Sequence, residues 1–266
     1  MRCTSVSQKI QAAFFDIDGT LLPFQADKLP DSTLAALETL RRNGVKIFIA
    51  TGRPPLHLSH LPAVMAVPFD GFVTMNGQYC FLADGTPLYS CAIDPASLRM
   101  LVPYIQQEQL SVGFIEKDTS YFNLINDLSA EFCQQFGFKV DDVAKRMEAA
   151  PVYQLSAFLP EDKQEEFMRH CPGCAAVRWN DAFVDVLPAN GGKTVGIAHV
   201  LQRLGLTREE SIAFGDGGND VEMLRYAGIG VAMGNACPEA KAAADYITDP
   251  ILEDGLANAL RHFGLI

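Results

Sequence analysis

The chain has 266 residues, of which 21 are Lys or Arg and 32 are Asp or Glu, so its formal net charge is −11. A hydrophobic content of 48% excludes a globally disordered chain, and this acidic balance argues against a nucleic-acid-binding protein. No apolar run approaches the roughly 20 residues that span a bilayer, and the N-terminus lacks the apolar core of a signal peptide. We therefore expect a cytoplasmic protein with no membrane partner.

The first part of the chain alternates short apolar runs with an amphipathic stretch. Ala12–Ile17, Val45–Ala50 and Gly71–Asn76 are predicted to be buried strands. Between the first two, a helix is predicted that is capped by Ser32 and ends at Gly44. Strands that alternate with helices in this way predict a parallel sheet with helices on its faces.

After Gly77 the pattern changes to hairpins mixed with helices. Hairpins are predicted around Asp84-Gly85, across Val112–Ile125 and around Asn180-Asp181. Helical stretches are predicted between them, near Ala96–Gln109, Ser129–Gly137 and Glu161–His170. This mixture predicts a separate α+β domain.

The alternation of strands and helices then returns. A helix is predicted at Lys193–Leu204, and strands at Ser211–Asp216, Ile229–Met233 and Tyr246–Thr248. The predicted fold class is therefore α/β, with a Rossmann-like, doubly wound and mostly parallel sheet. Its core would be discontinuous, at residues 1–82 and 188–266, with an inserted α+β cap at residues 83–187.

One local cysteine pair occurs, Cys171-Pro-Gly-Cys174, in a chain with 7 cysteines. A zinc site would need a second pair at suitable spacing, and none exists. A redox pair should begin a helix after a strand, whereas this pair follows the predicted helix Glu161–His170. We therefore expect a turn that holds two reduced thiols.

Two carboxylates follow the first predicted strand, in the segment Asp16-Ile-Asp18-Gly-Thr20. In open parallel sheets, ligands bind beyond the carboxyl ends of the strands. Two carboxylates at such a place repel each other, and a hard divalent cation such as Mg²⁺ would offset the repulsion. Taken alone, the same residues are also compatible with an ordinary acidic turn.

Three further segments lie at strand ends or at the start of a helix. Thr51-Gly52-Arg53 supplies a hydroxyl, backbone amides and a cation, which suit a phosphate. Gly192-Lys193-Thr194 opens a predicted helix with a lysine. The segment Gly215–Asp220 supplies carboxylates at both Asp216 and Asp220 and an amide between them. All of these groups can converge on one edge of the sheet.

Other motifs that contain similar residues do not match. A P-loop would need a glycine at Leu187, and a dinucleotide-binding loop that starts at Gly215 would need one at Asp220. An EF-hand loop that starts at Asp16 would need a glycine at Leu21.

Together, the segments DIDGT, ATGR, GGK and GDGGND resemble the motifs of the haloacid dehalogenase superfamily of phosphatases, in the same order and spacing. The long insertion between the second and third motifs resembles the Cof-type subfamily, subclass IIB, whose members carry a large α/β cap at that point. The resemblance covers nearly the whole chain. It implies a Mg²⁺-dependent phosphatase that acts on small phosphorylated metabolites, with sugar phosphates as the expected substrates.

The resemblance also implies a role for each motif residue. Asp16 would be the nucleophile that forms an aspartyl-phosphate, and Asp18 would act as general acid and then as general base. The expected ligands of Mg²⁺ are the carboxylates of Asp16 and Asp216 and the backbone carbonyl of Asp18. Asp220 would orient the lysine or a water molecule of the metal site. The residues expected to bind phosphate or substrate are Thr51, Gly52, Arg53, Asn76, Lys193 and Asn219.

Several alternatives stay open at this point. Arg53 either touches substrate or pairs with an acidic surface, and Asn76 either faces substrate or forms a turn. A phosphosugar mutase would use the same motifs, because the aspartyl-phosphate can return its phosphoryl group to a sugar. A non-enzymatic phosphometabolite sensor would not need Asp18. The inserted domain is expected to select the leaving group, and the oligomeric state is left open, with a monomer among the states.

Overall fold

Buried apolar strands alternate with helices in the computed structural model, which describes residues 9–178 and 181–266. In chain order the strands are β1 (Ala12–Phe15), β2 (Lys46–Ala50), β3 (Gly71–Thr74), β4 (Tyr79–Leu82), β5 (Pro87–Ser90), β6 (Ser111–Ile115), β7 (Ser120–Phe122), β8 (Gln154–Phe158), β9 (Cys174–Val177), β10 (Val184–Pro188), β11 (Ser211–Gly215), β12 (Ile229–Ala232) and β13 (Tyr246–Ile247). The α-helices are α1 (Asp31–Arg42), α2 (Pro55–Leu58), α3 (Pro62–Met65), α4 (Pro95–Gln107), α5 (Ala130–Phe136), α6 (Val143–Arg146), α7 (Gln164–Arg169), α8 (Lys193–Leu204), α9 (Val221–Tyr226), α10 (Pro238–Ala243) and α11 (Gly255–His262). Within the described ranges, none of these helices combines the length and the apolar character that a bilayer span requires.

The chain divides into two compact units. The first contains the described residues up to Arg53 together with His57–Tyr89 and Lys193–Ile266. The second contains Pro54–Leu56 and the described part of Ser90–Gly192. The domain limits inferred from the sequence, at residues 82 and 188, remain a prediction.

The first unit is built on one eight-stranded sheet in the order β13-β12-β11-β1-β2-β3-β4-β5. The strands from β13 to β3 run parallel, and β4 runs antiparallel to β3. The predicted α/β class, with a doubly wound and mostly parallel sheet, is confirmed. The order places β1 at the centre, between β2 and β11, so the segment that follows β1 has neighbours on both sides.

Both faces of this sheet are covered, which explains why β1 is apolar at every position. Phe15 packs with helices α1 and α11 on one face, where Leu37 and Leu260 are fully buried. Phe14 packs on the other face with α8 and α9, where Ile197 is also fully buried. Burial of side chains on alternate faces removes apolar area from water on both sides, and this stabilises the strand in the middle of the sheet.

The second unit has its own five-stranded sheet in the order β7-β6-β8-β10-β9, and all of the pairings are antiparallel. Helix α4 buries Leu101 and Ile105 against Phe114 and Leu155 of this sheet. The predicted turn at Asn180-Asp181 includes Asn180, which lies outside the described residues. The hairpin predicted across residues 112–125 is confirmed as β6 and β7.

The start of helix α1 differs from its predicted start. Ser32 was expected to cap the helix, but the helix begins at Asp31 and its N-cap is Pro30, with φ −56° and ψ 141°. Because proline fixes φ and its extended ψ ends the preceding segment, the helix starts directly after it. Ser32 is therefore a residue of the first turn rather than its cap.

Candidate active site

The polar groups of the candidate site lie at the carboxyl edge of the large sheet, within the first unit. Asp16 follows β1, Thr51 follows β2, and Asp216 follows β11. Lys193 is the first residue of α8. The convergence expected from the sequence therefore occurs, because parallel neighbouring strands end at the same edge.

Lys193 is the ionic centre of the site. Its Nζ donates to Asp16 Oδ1 and to Asp220 Oδ1, each at 2.6 Å. The Lys193 side chain is 1% exposed, and those of Asp16 and Asp220 are 9% and 0% exposed. In such burial each group depends on the others for its charge, because water does not replace a missing partner.

Asp220 is fixed by its second oxygen. Its Oδ2 accepts hydrogen bonds from the backbone amides of Asp216 and Gly217, each at 2.9 Å. With Oδ1 on Lys193, both oxygens of this carboxylate are engaged. Asp220 therefore links the lysine to the loop after β11.

Asp216 is held from the other side of the site. Thr20 donates its hydroxyl hydrogen to Asp216 Oδ1 at 2.8 Å. Gly19 lies directly beneath this carboxylate with φ +85°, and a Cβ at that position would overlap Asp216. The absence of a side chain at Gly19 therefore makes room for the loop after β11, which carries Asp216.

Replacing Gly19 by Ala is therefore expected to displace Asp216 and to lower kcat/KM sharply. Gly44→Ala is a matched control, because Gly44 has nearly the same φ, +86°, with nothing within 4 Å of the added Cβ. The control should lose about 1–2 kcal/mol of unfolding free energy from backbone strain alone. Urea unfolding and phosphate-release assays of both variants provide the measurement. Equal losses of stability with unchanged activity would contradict this account of Gly19.

Arg53 pairs with Asp18 through both ends of its guanidinium. Its Nε donates to Asp18 Oδ2 and its Nη2 donates to Asp18 Oδ1, each at 2.8 Å. This fork-to-fork pair is the strongest geometry for an arginine with a carboxylate. The sequence left open whether Arg53 touches substrate or pairs with an acidic surface. The structure shows a third arrangement, in which its partner is the acidic residue expected to move protons.

The segment after β3 adopts an unusual backbone. Met75, Asn76 and Gly77 have φ values of 50°, 51° and 89°, and for the first two such values are costly. The amide of Asn76 donates to the carbonyl of Thr51 at 3.0 Å, and its side-chain Oδ1 accepts from Asn219 Nδ2 at 3.1 Å. Asn76 thus ties the loop after β2 to the loop after β11. The predicted strand Gly71–Asn76 ends earlier, at Thr74, because the backbone turns here.

Asn235 is a residue of the site that the sequence analysis missed. Its Nδ2 donates to the carbonyl of Gly19 at 2.8 Å, and its Oδ1 accepts from the amide of Ile251 at 2.9 Å. It therefore braces the loop that carries Asp16 and Asp18 against the C-terminal part of the chain. Asn235 stands in the short segment after β12, where no local spacing distinguishes it from an ordinary loop residue.

Burial dominates the electrostatics of the acidic groups. It raises the pKa of the Asp16 carboxyl well above its usual value, while the Lys193 ammonium acts in the opposite direction. Burial also raises the pKa of Asp216 to about 6. Burial alone would lower the pKa of Lys193, but the carboxylates of Asp16 and Asp220 outweigh it and raise that pKa above its usual value. The lysine therefore stays charged, and the acidic groups still exceed it in number.

This excess of negative charge fits a hard divalent cation. Asp16, Asp216 and Asp220 each offer an oxygen within 4.8 Å of the others. Asp220 uses its oxygens for protein hydrogen bonds, so Asp16 and Asp216 are the carboxylates that remain for an ion. Among the described residues, none donates a hydrogen bond to the backbone carbonyl of Asp18. An all-oxygen donor set of this kind suits Mg²⁺ better than a soft metal.

The comparisons with known proteins agree with one another. The family model of haloacid dehalogenase-like hydrolases matches residues 13–260. A Bacillus subtilis protein named "Putative phosphatase YkrA" is 34% identical, over 95% of this chain and 97% of its own length. A solved structure of the phosphatase BT1666 from Bacteroides thetaiotaomicron has a TM-score of 0.90 and 33% identity, covering 97% of this chain and 96% of that one. The subclass IIB sugar phosphatase BT4131 has a TM-score of 0.83 and 38% identity, covering 96% and 100%.

Proposed function

This chain belongs to the haloacid dehalogenase-like hydrolase family, and on that premise we propose that it hydrolyses sugar phosphates and similar small phosphate esters through an aspartyl-phosphate on Asp16. It is a phosphoric monoester hydrolase, as the phosphatases that it resembles indicate. The observation that carries the proposal is the buried lysine clamped between Asp16 and Asp220 beside Asp216. The sugar phosphatase among its relatives supports sugar phosphates as the substrate class.

In the proposed first step, a carboxylate oxygen of Asp16 attacks phosphorus, and the bond from phosphorus to the ester oxygen breaks. Because burial raises the pKa of Asp16, its ionised form depends on the ammonium of Lys193. Asp18 gives its proton to the departing alcohol. The product of this step is an acyl phosphate on Asp16.

In the proposed second step, Asp18 takes a proton from a water molecule that attacks the phosphorus of the aspartyl-phosphate. The bond between phosphorus and Asp16 breaks, inorganic phosphate leaves, and both carboxyl groups return to their starting states. The pair with Arg53 holds the Asp18 carboxylate in one orientation in the structure. We propose that Asp18 leaves this pair when it takes up a proton from solvent, gives that proton to the leaving group, and regains one from water in the second step.

Thr51 and Asn219 are the proposed donors to the transferring phosphoryl group. The Thr51 hydroxyl oxygen accepts the amide hydrogen of Arg53 at 3.1 Å, which leaves its own hydrogen to donate. Asn219 is held by Asn76, so its amide group keeps a defined orientation. Donors that are already fixed stabilise a developing charge without reorganising during the reaction. The backbone amide of Gly52, next to Thr51, is proposed as a further donor.

Members of this family use a divalent metal, and we propose Mg²⁺ for this chain, held by the carboxylates of Asp16 and Asp216 and the carbonyl of Asp18. When bound, it would supply positive charge at the transferring phosphoryl group. Chelation with EDTA is therefore expected to abolish phosphate release, and added Mg²⁺ to restore it. Ca²⁺ should bind but support little turnover, because its larger and less regular ligand shell loosens the alignment. Full activity in a metal-free sample would refute the metal proposal.

The role of Asp18 leads to a separate expectation. Asp18→Asn should lower kcat for sugar phosphates by the roughly 10²–10⁴-fold typical of lost acid–base catalysis. Asp27→Asn is the control, because Asp27 is an exposed carboxylate nearby in the sequence and should leave kcat unchanged. If Asp18→Asn retained the full rate on a sugar phosphate, the proton-transfer role would belong to another group.

A panel of phosphorylated metabolites with Mg²⁺ present tests the function itself. The readouts are inorganic phosphate and, for each sugar phosphate, the appearance of an isomer. Phosphate release from sugar phosphates supports the proposal, whereas an isomer without phosphate release would show a mutase. Binding without either product would identify a sensor.

A further inference from the structure

Two thiols meet in the second unit, where the proposed phosphatase chemistry uses no residue. The Sγ atoms of Cys171 and Cys174 lie 3.4 Å apart, and the Cys171 thiol donates a hydrogen bond to the sulfur of Cys174. Cys171 is 1% exposed, whereas Cys174 is half-buried. Cys174 therefore keeps some contact with solvent, whereas its neighbour Cys171 has almost none.

The backbone holds the two cysteines at disulfide distance. The amide of Cys174 donates to the carbonyl of Cys171 at 3.4 Å, and Gly173 has φ +78°. Proline second and a positive-φ glycine third are typical of a type II turn, whose end Cα atoms lie within about 7 Å of each other. Disulfides need a Cα separation of roughly 4.4–6.8 Å and an S–S bond of about 2.0 Å. The two sulfurs lie 3.4 Å apart, so they need to approach by only about 1.4 Å to bond.

The turn is anchored by its neighbours. The hydroxyl of Ser97 donates to the carbonyl of Pro172. The amide of Ala189 donates to the carbonyl of Gly173 at 2.9 Å, and Cys174 pairs with Pro188 between β9 and β10. These contacts hold the backbone of the turn whether or not the sulfurs are bonded, so the geometry suits both oxidation states.

The two thiols also differ in the direction of their pKa shifts. The hydrogen bond from Cys171 lowers the pKa of the Cys174 thiol, against burial and the negative charge of Asp94, which act to raise it. The same hydrogen bond, together with burial, raises the pKa of Cys171. Since the thiolate is the nucleophile, the half-buried Cys174 is suited to attack first and the buried Cys171 to resolve.

We infer that Cys171 and Cys174 form a reversible dithiol–disulfide site that is oxidised by low-molecular-weight disulfides. The Cys174 thiolate attacks one sulfur of the small disulfide, whose sulfur–sulfur bond breaks and releases one small thiolate. Cys171 then loses its proton and attacks Cys174 Sγ, which releases the second small thiolate and forms the protein disulfide. The two protein thiols lose two electrons and two protons, and the small disulfide gains both.

This site differs from a structural disulfide. The stabilisation that a disulfide provides by restricting the unfolded chain grows with the length of the closed loop. Here the loop has only the residues from Cys171 to Cys174, so the entropic gain is small. A half-buried cysteine and a short loop together favour a bond that forms and breaks with the surrounding redox state.

The test uses the reduced full-length protein in buffers of glutathione and glutathione disulfide that contain a chelator. Samples are alkylated, digested with trypsin and analysed by mass spectrometry, because cleavage after Arg169 and Arg178 leaves both cysteines in one peptide. As the disulfide fraction of the buffer rises, this peptide should become lighter by two hydrogens and resist alkylation. Dithiothreitol should reverse the change.

Two variants serve as controls. Cys174→Ser should eliminate the lighter peptide, whereas Cys91→Ser, which changes another half-buried cysteine of the second unit, should leave its formation unchanged. The inference is overturned if Cys171 and Cys174 of the wild type are both still alkylated in a buffer that is oxidising enough to attach glutathione to Cys91. It is equally overturned if glutathione persists on Cys174 without displacement by Cys171. Because the main readout is on wild-type protein, a folding defect in one variant does not affect the result.

Discussion

Replacing Asp16 by Asn is expected to abolish turnover while the protein stays folded. The amide is a poor nucleophile and a poor metal ligand, so kcat should fall by roughly 10⁴–10⁶-fold, as for other enzymes that lose their nucleophile. Stability should not fall, because Asp16 is one of three buried acidic groups whose oxygens lie within 4.8 Å of one another. Removing one negative charge relieves repulsion, and Lys193 keeps Asp220 as its partner.

Steady-state phosphate release and thermal unfolding in a chelating buffer measure these two effects. Asp27→Asn is again the control, because it makes the same chemical change at an exposed carboxylate. A variant at Asp16 that kept near-normal activity would exclude the aspartyl-phosphate. A large drop in Tm would show instead that the Asp16 charge supports the fold.

Replacing Lys193 by Met is expected to have the largest effect on stability. The substitution keeps the length of the side chain but leaves Asp16 and Asp220 buried without their cation. Breaking a buried ion pair from one side costs about 3–5 kcal/mol, because the remaining charge is unpaired. Activity should also be lost, since the pKa of Asp16 would rise further and the carboxylate would be protonated.

Lys46→Met provides a matched control. The Nζ of Lys46 lies 2.8 Å from Asp70 Oδ1, but the two side chains are 51% and 25% exposed. An exposed pair of this kind contributes about 0–1 kcal/mol. Urea unfolding of both variants in chelator makes the comparison, and similar losses would show that burial does not set the strength of the Lys193 pairs.

A double-mutant cycle separates the charge effect from packing. If Lys193 stabilises the fold by neutralising Asp16, the Lys193→Met substitution should cost less in the Asp16→Asn background than in the wild type. Additive costs would mean that the two groups are not energetically coupled, and the proposed dependence of Asp16 ionisation on Lys193 would fail.

Much of the core was predictable because its signals are local. Apolar runs such as the one at β1 have no polar face, so they predict strands buried on both sides. The helix at Lys193–Leu204 was predicted with the bounds that the structure shows. The acidic and glycine-containing segments were located at strand ends by their position after those runs.

Other features had no local signal. The start of α1 was misplaced by two residues, since both Ser32 and Pro30 are compatible with a helix start. The positive φ of Met75 was not predicted, because methionine rarely adopts that conformation. The bracing role of Asn235 depends on Gly19, 216 positions away in the chain.

The sequence by itself determined the fold class, the order of the motifs and the kinds of groups that reach the site, because periodicity and turn residues act over a few positions. Only the tertiary structure decided which charges are partners. Lys193 and Asp16 are 177 positions apart, and Arg53 and Asp18 are 35 positions apart. Such pairs form when the strands align and their ends are buried together. Burial then decides how strongly each charge depends on its partner.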